Sequence, residues 1–387
     1  MQTSTRSPAS VIGILSHPTG GASGTTPLAN LVAIVAERSV ELHVITGTEG
    51  AEHLAGDPRV RVHPVRWERG RWIPLVLLRY LALQLRAARE VASLSGQEPL
   101  WIFFIDGQNQ LLPFLAAKAL RRPVILIFAF SAVETLRRTN PILAWGAQLL
   151  SALTCTMADR IVVYSPAIID EYSLTAWKTK ITIASEHHID LDLFAPTGPF
   201  DARGEVIGYI GRFNEEKGIL RLLDAIPLVL REEPDARFLL VGTGLLRPEV
   251  EATVAARAQK SFVELVPWVD HGRLPAYLNR MRLLVIPSFT EGLPNAMLES
   301  MACGTPVLAA PVGAIPDVIV GRENGFLLAD TKPATIAAGI IEALRARDLN
   351  RVSDNARRDV GKEFSYERAA ARFWRAIELD ESQNEGS

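Results

Sequence analysis

The chain has 387 residues, a formal net charge of -2, and 48% hydrophobic against 22% charged residues. That length is too great for one ordinary core, so two domains are expected, and the balance excludes a disordered chain. The near-neutral charge gives no reason to expect nucleic acid as a partner; two distant cysteines, Cys155 and Cys303, exclude a disulfide framework or a cysteine zinc site and fit a reducing cytoplasm.

In chain order, strand-like runs alternate with helical ones, the pattern of a doubly wound α/β domain. Residues 1–10 are polar and the apolar run 11–15 is only strand length, so no secretory signal is expected. That run reads as the first strand. A glycine-bearing loop over 17–24 follows, with Gly20 and Gly21 as candidate ligand contacts, then a helix over 28–38 and a strand over 42–46. Residues 66–89 set Trp67, Trp72, Leu77, Leu78, Leu81 and Leu85 among arginines. The segment reads as a core-packed helix with a solvated basic face, and an interfacial helix making peripheral membrane contact is the alternative. Its greasiest part, 72–85, is interrupted by Arg79 and Gln84 and is too short to span a bilayer. Strands over 101–105, 124–130 and 161–164 end near Asp106, Ser131 with Glu134, and Ser165, where such sheets bind ligands.

The turn-rich run 189–204 marks a domain boundary, placed at 195/196. Asp190 and Asp192 lie beside this linker, and the neighbours His187 and His188 lack ligand spacing, so no metal is expected. A strand over 206–210 then opens a second alternation and runs into Gly211-Arg212-Phe213-Asn214-Glu215-Glu216-Lys217-Gly218 before a helix. Arg212 and Lys217 thus fall at a strand end and a helix start, where two cations can stabilise a diphosphate taking up charge. The strand 238–241 leads to Gly242-Thr243-Gly244, a close-approach turn, and 262–268 ends on Trp268, placed to wall a nucleobase or fill the core.

The most informative stretch is 283–310, LLVIPSFTEGLPNAMLESMACGTPVLAA, read as strand, loop, short helix and strand. Pro294 stands where the helix begins and Gly304 where it ends. Glu291 lies in the loop; Asn295 and Glu299 are four apart on one helix face. A ligand on Gly292, Leu293, Pro294 and Asn295 would meet backbone N–H groups at the helix start, and the two carboxylates would accept from sugar hydroxyls, as suits a nucleotide sugar. A last helix over 365–379, with Tyr366, Phe373 and Trp374, packs its aromatic side on a core.

These second-half motifs resemble the retaining nucleotide-sugar glycosyltransferases of the GT-B fold, family 4. The resemblance rests on Gly211-Arg212, Glu216-Lys217-Gly218, Val241-Gly242-x-Gly244, Pro287-Ser288-x-x-Glu291-Gly292, Glu299, Gly304-x-Pro306-Val307, Gly313, Pro316 and Asn324-Gly325. The first half matches only through Gly20-Gly21 and Phe194-x-Pro196. The resemblance implies an α/β chain of two Rossmann-like domains facing a cleft: 1–195 on the acceptor side, 196–364 holding the donor, and 365–387 crossing back. Arg212 and Lys217 would bind the donor diphosphate, Glu299 the ribose, and Glu291 with the backbone from Gly292 to Asn295 the sugar and distal phosphate. The implied activity is metal-independent, retaining hexosyl transfer in the cytoplasm from a UDP- or GDP-linked sugar, without a cofactor. The acceptor would be a glycan, lipid-linked intermediate or small molecule, in polysaccharide or glycoconjugate biosynthesis. Many family members carry a His at the end of a first-domain strand near the acceptor; here that strand ends Phe130-Ser131. Ser131, Glu134 and Asp106 stand as unranked replacements, and a nucleotide-sugar epimerase or a non-catalytic nucleotide-sugar binder are the alternatives.

Overall fold

The computed structural model describes residues 11–16, 22–66, 73–94, 100–129, 131, 133, 136–137, 140–257 and 259–378. The chain divides into two compact units, Met1–His187 with Ala369–Ser387, and His188–Arg368. The division falls before the turn-rich run rather than within it at 195/196. Phe194 is buried against the His271 ring, centroids 5.2 Å apart, and the Ile189 amide donates to the Phe364 carbonyl, which ties 189–195 to the second unit.

The first unit is a seven-stranded, all-parallel sheet of β1 (Ile12–Ser16), β2 (Leu42–Thr46), β3 (Val60–Pro64), β4 (Leu100–Phe104), β5 (Val124–Phe128), β6 (Arg160–Val163) and β7 (Ile181–Ile183). Its order is β3-β2-β1-β4-β5-β6-β7, with the switch point between β1 and β4. The central strands are continuous runs of buried apolar residues, as a parallel sheet covered on both faces requires. The edge strands β3 and β7 were not expected, because Val60-Arg61-Val62-His63-Pro64 and Ile181-Thr182-Ile183 carry no apolar run. Between the strands lie α1 (Ala22–Arg38), α2 (Thr48–Leu54), α3 (Ile73–Ser93), α4 (Leu111–Ala119), α5 (Pro141–Met157) and α6 (Pro166–Glu171). Helix α1 begins at Ala22, inside the expected loop, and takes Pro27 into its first turns; Gly20 and Gly21 lie outside the described residues.

Helix α3 corrects the expected orientation of 66–89. Its inner side is formed by Tyr80, Leu83, Gln84, Ala87 and Val91, while Leu77, Leu78, Leu81 and Leu85 face outward. The exposed face is therefore leucine over most of its length and basic only towards its end, at Arg86 and Arg89. Tyr80 and Gln84 turn inward because they have partners there: the Tyr80 hydroxyl donates to the Asn109 carbonyl at 2.9 Å, and Gln84 Oε1 accepts from the Leu112 amide at 2.9 Å. Trp67 and Trp72 lie outside the described residues.

The second unit is a six-stranded parallel sheet of β8 (Val206–Ile210), β9 (Arg237–Val241), β10 (Val263–Val266), β11 (Leu283–Ile286), β12 (Val307–Ala309) and β13 (Phe326–Leu327), ordered β10-β9-β8-β11-β12-β13. Its helices are α7 (Ile219–Glu232), α8 (Arg247–Ala256), α9 (Leu274–Leu278), α10 (Asn295–Ala302), α11 (Ile315–Val318), α12 (Pro333–Leu344) and α13 (Leu349–Glu363). Ile219, Leu222, Leu223, Ile226 and Val229 of α7 recur at helical spacing and join Ile207, Phe238, Leu283 and Ile340 in one core. The last helix, α14 (Tyr366–Ile377), brings residues from Ala369 onward to the first unit. There Arg160 donates to the Ala376 carbonyl at 2.7 Å, and the Arg38 guanidinium lies over the Trp374 ring at 5.3 Å.

Candidate active site

All six strands of the second sheet run parallel, so the loops after β8, β9, β10 and β11 leave one edge, and the donor residues expected in this unit sit on them or, for Asn295 and Glu299, on α10 just beyond. The loop from Gly211 to Gly218 is held by backbone. The Gly211 amide donates to Val241, that of Phe213 to Thr243, and Asn214 Oδ1 accepts from the Leu245 amide at 3.1 Å. The Tyr209 hydroxyl donates to the Arg212 carbonyl at 2.7 Å; burial, with Glu291 and Glu216 nearby, raises the pKa of that phenol well above its usual value.

This loop is docked on the one that carries Glu291. Gly218 has φ 68°, and a Cβ there would meet the Pro287 carbonyl oxygen at 2.1 Å. The Phe289 amide donates to the Glu216 carbonyl. From the other side, Gly313, at φ 58°, leaves no room for a Cβ, which would stand 2.2 Å from the Glu291 carbonyl oxygen. The Ala314 amide donates to the Gly292 carbonyl, so the Glu291 loop is clamped between two glycines.

The clamp joins two of the expected residues directly. Lys217 Nζ donates to both Glu291 oxygens at 2.7 Å, with Glu291 only 8% exposed. Arg212 is half-exposed and lies 3.6 Å from Glu216 Oε1. Gly292 and Leu293 are buried; Pro294 forms the N-cap of α10, which begins at Asn295, and Gly304 ends it at φ 68°. Asn295 Oδ1 is a buried acceptor without a partner among the described residues, at the N-terminus of α10, where the first amides of a helix have no partner within it. Gly242 pairs through its amide with Val266, and Trp268 projects from the end of β10, 40% exposed.

Glu299, 4% exposed, is held by a residue that sequence reasoning missed. His271 Nε2 lies 2.7 Å from Glu299 Oε1, and this hydrogen bond, more than the nearby Asp190 charge, raises the His271 pKa above 6.5 against the effect of burial. The only sequence signal was its place three residues beyond Trp268, on the loop after β10. Among the described residues no group of His, Cys, Asp and Glu is arranged to hold a metal ion.

In the first unit, Asp106 ends β4 at the switch point. It and Ile105 adopt positive φ, 61° and 39°, a strained arrangement for two residues other than glycine. Asn109 donates to its carboxylate at 2.5 Å, yet burial pushes that carboxyl up to about 7. Ser131 is buried, and Phe130 and Glu134 lie outside the described residues.

Residues 204–346 match the family described as glycosyl transferases group 1. Among curated proteins, the chain is 30% identical over 194 residues to a D-inositol 3-phosphate glycosyltransferase of Segniliparus rotundus, covering 47% of this chain and 43% of that one. It is 34% identical over 152 residues to a 2-deoxystreptamine glucosyltransferase of Streptomyces kanamyceticus, covering 39% and 37%. The chain thus spans about half or less of the length of the curated relatives it matches. Among solved structures, HepE of Anabaena in complex with UDP-glucose superposes with a TM-score of 0.76 at 17% identity, over 95% of this chain and 99% of that one. Sucrose-phosphate synthase of Thermosynechococcus elongatus gives 0.75 at 18%, over 95% and 98%. At these identities the likeness is one of fold. Residues 204–346 are thus similar to the glycosyl transferases group 1 family, and the α/β chain as a whole has the GT-B fold.

Proposed function

We propose that the chain is a retaining, metal-independent hexosyltransferase that takes its sugar from a UDP- or GDP-linked donor bound by the second unit. The observation that carries this reading is the Lys217–Glu291 pair, fixed on two loops that the Gly218 and Gly313 contacts hold together. In the free protein each charge neutralises the other. An arriving diphosphate takes Lys217, with Arg212 as the second cation, and releases Glu291 to accept from sugar hydroxyls. Glu299, oriented by His271, accepts from the ribose, and Trp268 walls the base. The α10 N-terminus with Asn295 faces the distal phosphate.

In the transfer, the bond between the anomeric carbon and the phosphate oxygen breaks as the acceptor oxygen bonds to the same face of that carbon. The departing phosphate takes the acceptor proton, so the protein orients the reactants and stabilises leaving charge. On the acceptor side we rank Asp106 first, since its strand-end position at the switch point, its strained backbone and its raised carboxyl mark it out from buried Ser131. The acceptor is a glycan, lipid-linked intermediate or small molecule of cytoplasmic polysaccharide or glycoconjugate synthesis. Because HepE was crystallised with UDP and UDP-glucose, uridine is the first base to try.

A thermal-shift series with UDP-, GDP-, ADP- and dTDP-sugars, with and without EDTA, tests the donor site. One nucleotide sugar should raise the melting temperature by mass action, unchanged by EDTA. No shift with any of them in folded protein would sink the reading.

A further inference from the structure

Two helices of the first unit are turned the wrong way round for a protein surface in water. In α3 the polar Tyr80 and Gln84 point in, and the leucines point out. In α5 the inward side is Ala144, Ala147, Ser151, Thr154 and Cys155, with the Thr154 hydroxyl donating to the Gln108 carbonyl at 2.8 Å. Its outward side is Ile142, Trp145, Leu149 and Leu153, spaced by three, four and four residues, with Ile142 82% and Trp145 73% exposed. Asn140 Oδ1 caps this helix by accepting from the Leu143 amide, and Pro141 opens it, so the stripe begins at a fixed point.

The two stripes share one side of the sheet. The crossovers from β3 to β4, β4 to β5 and β5 to β6 all step the same way along the strand order, and right-handed crossovers put α3, α4 and α5 on one face. Helix α4 lies between the other two and packs on both, and its outward residues are Leu115 and Ala119. An apolar surface this broad on a soluble face marks an interaction site.

Charge says which partner. Helices α4 and α5 contain no carboxylate, and α3 has only Glu90. From residue 66 to 157 the chain has eleven Lys and Arg against five Asp and Glu, although its net charge is -2. Arg89 continues the stripe of Leu81 and Leu85, and Arg86 and Arg121 are exposed nearby. A second copy of the chain meeting this face symmetrically would set arginine against arginine. An anionic lipid surface satisfies both features, accepting the leucines and tryptophan at the acyl boundary and pairing the arginines with headgroups. No helix among the described residues is long and apolar enough to cross a membrane, so the contact is one of lying on the surface.

We infer that the outer face of α3 and α5, with Leu78, Leu81, Leu85, Ile142, Trp145 and Leu149, docks this chain on an anionic bilayer. This inference stands independently of the donor reading. The test is co-sedimentation of the full chain with phosphatidylcholine vesicles, with or without phosphatidylglycerol, at low and high salt. Binding should need the anionic lipid and weaken with salt. Leu81→Glu/Trp145→Glu should lower partitioning by about tenfold or more, since two apolar anchors become charges that the surface repels. Arg86→Glu/Arg89→Glu should remove the preference for anionic over neutral vesicles. Circular dichroism and the donor-induced thermal shift should stay as in the parent chain, which separates this failure from failure of the donor site. Equal binding to neutral and anionic vesicles, no binding to either, or a dimer in sedimentation velocity that Leu81→Glu/Trp145→Glu dissolves would each overturn the inference.

Discussion

In the proposed donor site, the Lys217–Glu291 ion pair would serve two ligand groups in turn. With the Lys217 ammonium 2.7 Å from both carboxylate oxygens, neither charge is left bare before the donor arrives. If the proposed role is correct, Lys217→Ala and Arg212→Ala should each cost about 2.7–4 kcal/mol of transition-state stabilisation, like loss of an oxyanion donor. Transfer rates near those of the parent chain in both variants would remove the phosphate clamp. The His271–Glu299 pair makes a separate prediction in pH. The folded-state pKa of His271 is raised above 6.5, so the fold favours imidazolium. The stability this adds is fully present below 6.5 and is lost as pH rises through the folded midpoint. Glu299→Gln should move the His271 midpoint down in an NMR titration; an unchanged midpoint would mean that Glu299 does not set it. Lys217, Arg212 and Glu291 stood out as candidates because they fall in loops that follow strands or precede a helix, and Glu299 because it shares a helix face with Asn295. His271 was not, since an isolated histidine in a turn gives no periodicity to read.

Among the elements, the Glu291 loop owes its shape to contacts far apart in sequence. The Gly313→Ala variant would combine positive φ with a Cβ pressed on the Glu291 carbonyl. It should lose about 1–3 kcal/mol of stability, the usual cost of one strained backbone position, and weaken donor binding as well. Denaturant unfolding and the thermal shift measure the two effects; a variant unchanged in both would show that the clamp is not needed. Strands β8 and β11 were readable because each is an apolar run closed by glycine or proline. The edge strand β3 was not, as Val60 and Val62 alone among Arg61, His63 and Pro64 make too short a pattern to stand out before β2 supplies hydrogen bonds. In α3 the apolar and polar sides were visible, but the side that meets the core depended on Asn109 and Leu112, some thirty residues away.

At the scale of the molecule, the two-domain α/β architecture was legible because strand and helix runs alternate twice with a turn-rich run between them, and the GT-B fold came only through the resemblance of the second-half motifs. What composition could not place was the ownership of that run, which Phe194 and Ile189 give to the second unit. The ends of the chain matter more than their length implies. Phe373 and Trp374 are buried in α14, and Ala369–Ser387 belongs to the first unit although it follows the whole second one. The two units should therefore differ as isolated pieces. A fragment of residues 188–368 should fold cooperatively, whereas 1–187 should melt lower and bind a hydrophobic dye until a peptide of 366–378 is added. Equal stability with and without that peptide would deny the helix this part. The consequence reaches back to synthesis: the first unit is made first but finished last. On the ribosome its partly covered core must wait while the second unit emerges and folds, and only the emergence of α14 closes it.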